Sequence, residues 1–554
     1  MTTTLIILPT DLLTLIISYI RAPSDLRNVY RTCKALYAVA IVPIYRTMTL
    51  RLPHGYHLLA QALVPENAGL SHVRHFVLKA HTWGLNEARG DLLMPLQLLA
   101  ISLPRDTLIS FTLDWPIQDE EYVDSSLRAE FILETLFRRQ RKLRTMRVDP
   151  SVDYSQISRF DDLANVTTFQ FEILSETTAE TCGRVLGNSP SLRNLEVRLR
   201  LERFDLHSPD TTSVDIVERV FDCFLKANRQ IMLRALQLHG FDFALASVKL
   251  ATAVDLSQLD SLGLQQCTSI VGILGKIKPN GVPPRLALRT LVLTEYDDST
   301  GSSTVGTSNS NTAAFDVLLE SFTGLENLVV AASGHRELMP GFKALNCHAA
   351  MLRLLYLDCL PISSSADDAD VTDDPNVVST SNLHLLMRQC THLEQLALET
   401  PDLMLKYDDT EIEESMAKIA VALATAPRLR TFRPINQLVH RVNIDGYFDS
   451  NEVTRAWIDS TLQHWATKFM KSSPRLTAIG LALRRSSFEP WPDVDGFDVH
   501  PHYYVRGHQL DAYGRKSMIA LRVSYEQVRE IEPVSEILEM DPYGSGLLRL
   551  GYQP

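Results

Sequence analysis

Two small groups of histidines are the first residues in this sequence that could do chemistry: His72, His75 and His81, and His500, His502 and His508. Three imidazoles can ligate zinc, but such a site comes with a cysteine pair or an HExxH helix, and neither group has one. They read as surface histidines. The stretch ISSSADDADVTDDPNVVSTS, residues 362–381, is rich in carboxylates, yet it lacks the central glycine and closing glutamate that shape a calcium loop. GILGKIK, beginning at Gly272, has the wrong spacing for a phosphate-cradling loop. Gly544-Ser545-Gly546 lacks the strand–turn–helix context of a nucleophile, and GxSxG does not occur. No catalytic residue, metal ligand or cofactor site is assigned, and an enzyme is not expected.

One basic cluster remains: Arg138, Arg139, Arg141, Lys142, Arg144 and Arg147. It reads as the solvated C-terminal end of a helix, where cations complement the dipole, or else as a seat for a phosphate or an acidic segment. The chain as a whole is acidic, with 54 Lys and Arg against 66 Asp and Glu and a net charge of −12 over 554 residues. Such a balance gives no general affinity for a phosphate backbone, so a nucleic-acid role is not expected. Seven scattered cysteines without a CxxC pair point to reduced thiols and a cytoplasmic or nuclear protein.

The elements that would position any site begin with the run LPTDLLTLIISYI from Leu8 to Ile20. No Lys or Arg precedes it, as a signal peptide would require. Pro9 and Asp11 interrupt it, leaving Leu12 to Ile20, about 14 Å of helix at 1.5 Å per residue where a membrane span needs about 30 Å. A helix from about Pro9 to Ile20 is expected, apolar around most of its circumference and therefore buried on more than one side. A second helical pattern starts at Asp25, with Leu26, Val29, Cys33, Leu36 and Tyr37 at helical spacing, and is expected to close at Pro43. About 40 residues cannot bury all of these groups alone, so part of the surface must face another domain or chain.

These residues resemble a family. Leu8-Pro9, Leu12-Leu13, Ile16, Tyr19-Ile20, Asp25-Leu26, Thr32-Cys33-Lys34, Tyr37, Pro43 and Tyr45-Arg46 are similar in order and spacing to the F-box, over about residues 5–50. The resemblance implies a helical module that docks on a Skp-type adaptor and, through it, a cullin in a ubiquitin ligase. It implies adaptor contacts from Leu8, Pro9, Leu12, Leu13, Ile16, Tyr19, Leu26, Tyr37 and Pro43.

From about residue 70 onward one phrase recurs: apolar, two others, apolar, one other, apolar. It reads VRHFVL at Val73, VTTFQF at Val166, LRNLEV at Leu192, LRTLVL at Leu288, LRLLYL at Leu352 and LEQLAL at Leu393, among others. Its last three apolar positions alternate as a strand with one buried face does, and helical stretches lie between the phrases. Repeated strand and helix make a solenoid. The phrase resembles the leucine-rich repeat, although successive phrases start about 23 to 47 residues apart, longer and less regular than that repeat. The Asn or Cys the repeat carries next is mostly missing: Cys267 fills it, while Phe241, Tyr296 and Leu360 replace it.

The expected architecture is α/β: an F-box at 5–50, then an irregular leucine-rich-repeat solenoid over 51–483, parallel strands on its concave face and helices on its convex face. Loop inserts are expected at 297–312 and 362–381, and a cap with a hairpin and helix over 484–554. Strand side chains between the apolar ones face outward, which makes Arg147, Glu172, Glu196, Arg198, His239, Tyr356, Asp358, Glu399 and Arg433 the candidate contacts for a target protein. Lys79 and Asp114 fall in the same row. The function this implies is the substrate-recognition subunit of a Skp/cullin/F-box ubiquitin ligase, with no nucleic-acid or membrane partner. The alternative is a protein-binding scaffold whose helices only cap the array.

Overall fold

The computed structural model describes residues 8–20, 23–52, 63–64, 66–80, 93–114, 133–147, 163–199, 213–277, 286–295, 311–333, 338–360, 380–399, 410–437, 451–484 and 502–540. The chain forms two compact units, 1–240 with 252–255 and 241–251 with 256–554.

The first unit opens with three helices, α1 (Thr10–Ser18), α2 (Pro23–Tyr30) and α3 (Lys34–Arg46). Asp11 stands in the first turn of α1, where a carboxylate suits the dipole, and Leu13 N–H donates to the carbonyl of Pro9. The single helix expected from Asp25 to Pro43 is two helices. Thr32 donates its hydroxyl to the Val29 carbonyl, ending α2, and Cys33 is extended, with φ −159°, before α3 begins. Pro43 lies inside α3 and does not close it.

Strands β1 (Thr47–Leu52), β2 (His75–Ala80), β3 (Ser110–Asp114), β4 (Thr145–Arg147), β5 (Thr168–Ile173), β6 (Asn194–Leu199) and β7 (Ala235–His239) follow, each pairing in parallel with the next. Parallel neighbours need long crossovers, and helices such as Glu176–Gly187 and Ser213–Lys226 supply them. The capping box of Ser175 and Thr178 starts the first of these. The two pack closely because Gly183 has no Cβ; one there would stand 2.4 Å from the Arg219 carbonyl oxygen.

The second unit continues the pattern through β8 (Ser261–Cys267), β9 (Thr290–Glu295), β10 (Asn327–Ser333), β11 (Leu354–Leu360), β12 (Gln395–Glu399), β13 (Thr431–Gln437) and β14 (Ala478–Arg484), again parallel. β15 (His502–Leu510) then pairs antiparallel with β14, and β16 (Lys516–Val523) antiparallel with β15. Short helices Tyr525–Ile531 and Glu536–Glu539 follow.

Both units use the recurring phrase in the same way. Its first apolar residue is buried at Val73, Leu108, Val166, Leu192, Leu325, Leu352, Leu393 and Leu476, and the next two line the helix-bearing side of the sheet, as Phe169 with Phe171 and Leu396 with Leu398 do. Backbone bonds recur at the strand entries. One carbonyl accepts from two successive N–H groups of the next strand: Arg144 from Thr167 and Thr168, Thr167 from Arg193 and Asn194, Arg353 from Glu394 and Gln395. Side chains add to this pairing of donors: the Thr167 hydroxyl donates to the Arg144 carbonyl at 3.3 Å, and Asn194 Nδ2 to Thr168 Oγ1 at 3.0 Å.

The inserts at 297–312 and 362–381 lie mostly outside the described residues; Asn311 and Thr380 open helices at their far ends. Tyr296, His81, His500 and Gly544 to Gly546 also lie outside them.

Candidate functional site

The short α1 carries two apolar stripes. Leu13 and Ile17 point into a core with Leu26, Leu36, Val39 and Ala40, and Leu8, Ile20, Val29, Tyr30, Cys33 and Ile44 pack against it. On another side Leu12, Leu15, Ile16 and Tyr19 are 46%, 53%, 40% and 77% exposed. Their spacing, i, i+3, i+4 and i+7, is that of one continuous face of a helix. Burying side chains of this kind is worth roughly 1.5–3 kcal/mol each, so a face of four left in water is a surface shaped for a partner. Nothing polar on α1 interrupts it.

The nine positions the F-box resemblance marks for adaptor contact therefore divide. Leu12, Ile16 and Tyr19 lie on the exposed face of α1, Pro9 is exposed at the N-cap of α1, and Tyr37 is exposed on α3. Leu13 and Leu26 are inside the module's own core, Leu8 packs against that core, and Pro43 is half-buried in α3. Leu15 was not marked, although its place three residues after Leu12 completes the stripe.

The module is joined to the sheet without a linker. Arg46 ends α3, Thr47 begins β1, and the Arg46 carbonyl accepts from Arg74 N–H at 3.0 Å, just ahead of β2. Tyr45 packs over the 3-10 turn Ala68–His72, where Gly69 leaves room for its ring, and its hydroxyl lies 3.3 Å from Asn67 Nδ2. The exposed face of α1 is thus carried on a base built into the first repeats.

On the sheet face away from the helices, the first unit is polar. Register places Arg147, Gln170, Glu196 and Gln237 in one row across β4 to β7, and Glu172, Arg198 and His239 in the next. Arg147, Glu172, Glu196 and Arg198 are half-buried and His239 is buried. Opposite charges on neighbouring strands support each other by about 0.2–1 kcal/mol per pair.

In the second unit the corresponding face is apolar and closed by the chain itself. Val329, Ala331, Tyr356, Ala397, Ile435 and Ala478 form one cluster with Val528, Ile537, Leu538 and Met540. Tyr356 and Arg433, expected to face outward to a target, lie in this packing instead: the Arg433 guanidinium sits 5.8 Å from the Tyr356 ring centre and donates to main-chain carbonyls of the C-terminal segment. Asp358 is buried and accepts from the Tyr356 hydroxyl at 3.3 Å. The physical reason is composition: this face offers small and apolar side chains, whose removal from water is favourable. Glu399 ends β12, and Lys79 and Asp114 fall within β2 and β3; their side chains lie outside the described residues.

The remaining chemical candidates do not converge. His75 Nδ1 lies 2.8 Å from Ser110 Oγ, and burial followed by the Arg46 charge holds its pKa below the usual histidine value. His502 Nδ1 is 3.4 Å from Asp459 Oδ1. Burial pushes the Cys390 thiol up to about 12 and the Cys182 thiol higher than usual as well, so both are neutral thiols at physiological pH. In the basic cluster Arg139 is structural, donating to the Ile101 and Leu103 carbonyls at the end of helix Leu93–Ser102. Among the described residues no three metal-ligating side chains come together, and no helix is long and apolar enough to cross a membrane.

A family model described as F-box-like matches residues 5–51, the three helices and the first strand. No curated protein sequence matches the chain. A solved structure titled "Crystal structure of TLR13-ssRNA13 complex" is similar with a TM-score of 0.32 and 14% identity, covering 69% of this chain and 48% of that one. The chain thus spans about half the length of that structure's chain, and a likeness this distant bears on neither fold nor function. What the comparisons contribute is an F-box-like domain at the place where the helical module and its exposed stripe stand.

Proposed function

We propose that this chain is the substrate-recognition subunit of a Skp/cullin/F-box ubiquitin ligase. The observation that carries the reading is the solvent-exposed stripe Leu12, Leu15, Ile16 and Tyr19 on a helix whose other side already has its own core, within an F-box-like domain. F-box domains generally bind Skp-type adaptors, and this stripe is the surface such an adaptor would cover. The parallel array of strands and helices, leucine-rich-repeat-like in its phrase, holds a target protein. Its polar face at Arg147, Glu172, Glu196 and Arg198 is the first candidate for that contact.

The chain would act by proximity and supply no nucleophile. A target held on an array that continues from the adaptor-docking module is kept at high effective concentration near the ubiquitin-transfer machinery. The direct joint between α3 and β1 supports this, because a floppy connection would dilute that concentration. Such a role belongs to the cytoplasm or nucleus. Isolation of the tagged chain from cells, with the bound proteins identified, tests it: adaptor and cullin are expected with wild type and absent with Ile16→Asp, whereas their absence from wild type would refute the ligase role.

A further inference from the structure

Residues 524–540 lie on the sheet of the second unit in the manner of a bound peptide. Gln395 reads their backbone, accepting from Ile537 N–H at 3.0 Å while its amide donates to the Glu536 carboxylate at 2.7 Å. Arg433 donates to the carbonyls of Ile537 at 3.1 Å and Leu538 at 3.4 Å, and to that of Met540. The Glu532 carboxylate, with no exposed side-chain surface, sits in a seat made by the Thr477 hydroxyl at 2.7 Å and Arg430 Nε at 3.0 Å. Leu538 fills the space over Gly480, where even a Cβ would stand 3.1 Å from its Cδ2.

Main-chain groups read by side chains, one acid in a polar seat and aliphatic side chains over small residues are the features by which a groove holds a peptide. The occupant has little structure of its own. Its two helices run Tyr525–Ile531 and Glu536–Glu539, far below the roughly 12–15 residues at which an isolated helix becomes marginally stable in water. Off the face it would be a flexible strand.

We propose that this face is a peptide-binding site held by the chain's own segment 524–540, and that a segment of a partner protein with the same chemistry displaces it. That chemistry is a buried acidic residue followed by a helical turn bearing two adjacent aliphatic side chains. The site is separate from the adaptor-docking stripe and does not depend on the ligase role. A tethered occupant acts at an effective concentration on the order of millimolar, so the resident segment keeps the groove closed against weak competitors and opens it only to strong ones.

The test uses the full-length chain and a fluorescent synthetic peptide copying residues 524–540. Wild type should bind it at least tenfold more weakly than the Ile537→Asp/Leu538→Asp chain, whose own segment is expelled. Adding Gln395→Ala to that chain should weaken peptide binding at least tenfold again. A folded expelled chain that binds no peptide, or wild type binding as well as the variant, overturns the proposal. Native-state hydrogen exchange of wild type serves where the double variant does not fold. The Val528, Ile537 and Leu538 amides should exchange at least tenfold faster than those of β10 to β12, and equal rates would make the segment permanent core and overturn the proposal. Concentration-dependent wild-type dimers that Leu538→Asp abolishes would assign the groove to a second copy, which also overturns it.

Discussion

Across β4 to β6 the sheet face away from the helices carries Arg147, Gln170, Glu172, Glu196 and Arg198, half-buried and of both signs; across β9 to β13 the same positions hold Val292, Val329, Tyr356 and Ala397, buried, with Arg433 among them. The helix-bearing face does not differ in this way. Phe169 and Phe171 in the first unit do what Leu396, Leu398 and Phe432 do in the second. The recurring phrase thus dictates only one side of the sheet. Its intervening positions are free, and their polarity decides whether the other side meets water and partners or is covered by the chain itself.

If that comparison holds, the helix-bearing faces should respond alike and strongly. Phe432, which stacks edge-on against Phe469 at 5.3 Å, and Phe169 are both fully buried. Replacing either with alanine should cost about 3–5 kcal/mol, read as a lower urea midpoint for its own unit. The opposite faces should respond unequally to one and the same change. Ala397→Asp buries an unpaired charge under the C-terminal segment and should cost about 3 kcal/mol or more, or expel the segment. Gln170→Asp, at the equivalent position of β5, should stay within about 0.5 kcal/mol. Equal costs would break the contrast.

A pH titration separates the units more gently. His348 is buried, with Nε2 2.9 Å from the Leu319 carbonyl and Nδ1 accepting from Leu325 N–H at 3.3 Å, so the neutral ring fits with its proton on Nε2. Burial lowers its pKa, outweighing the bond to Leu319. The unfolded chain then takes up a proton below about pH 6.5 that the folded chain resists. This contribution is present above that pH and is lost as pH falls below it. Exchange protection in β10 and β11 should therefore decline between pH 7 and 5, and His348→Gln should flatten that part of the profile while leaving β5 and β6 unchanged. The smallest effect belongs to the surface pairs: Glu394, 3.2 Å from Arg353, can become Gln for about 0.5 kcal/mol or less.

Much of this was legible in the residues. The alternation within VTTFQF or LEQLAL shows a strand with one buried face, and the all-round apolarity of Leu12 to Ile20 shows a helix needing two partners. The break between α2 and α3 was hidden, because Leu26, Val29, Cys33 and Leu36 keep helical spacing across it, while the stop lies in the Thr32 side-chain bond and the extended backbone of Cys33. The division of the apolar stripe was also hidden: spacing alone does not say whether Leu12 or Leu13 turns inward. Least legible was the closure of the second unit's face. Glu532, Ile537 and Leu538 look like an ordinary helical tail, and their seats at Thr477, Gly480, Gln395 and Arg433 are more than 50 residues away in sequence, so no local pattern joins them.

Adaptor docking on the exposed stripe of α1 is tested by a direct binding titration of purified chain with a Skp-type adaptor. The paired substitution Leu12→Asp with Ile16→Asp changes only exposed positions, so the module should keep its fold by circular dichroism, whereas Leu8 or Leu13 would disturb the core. Wild type should bind saturably and the paired variant at least 100-fold more weakly. Equal binding by the two, or no binding by wild type, would mean that the stripe is not an adaptor-docking surface.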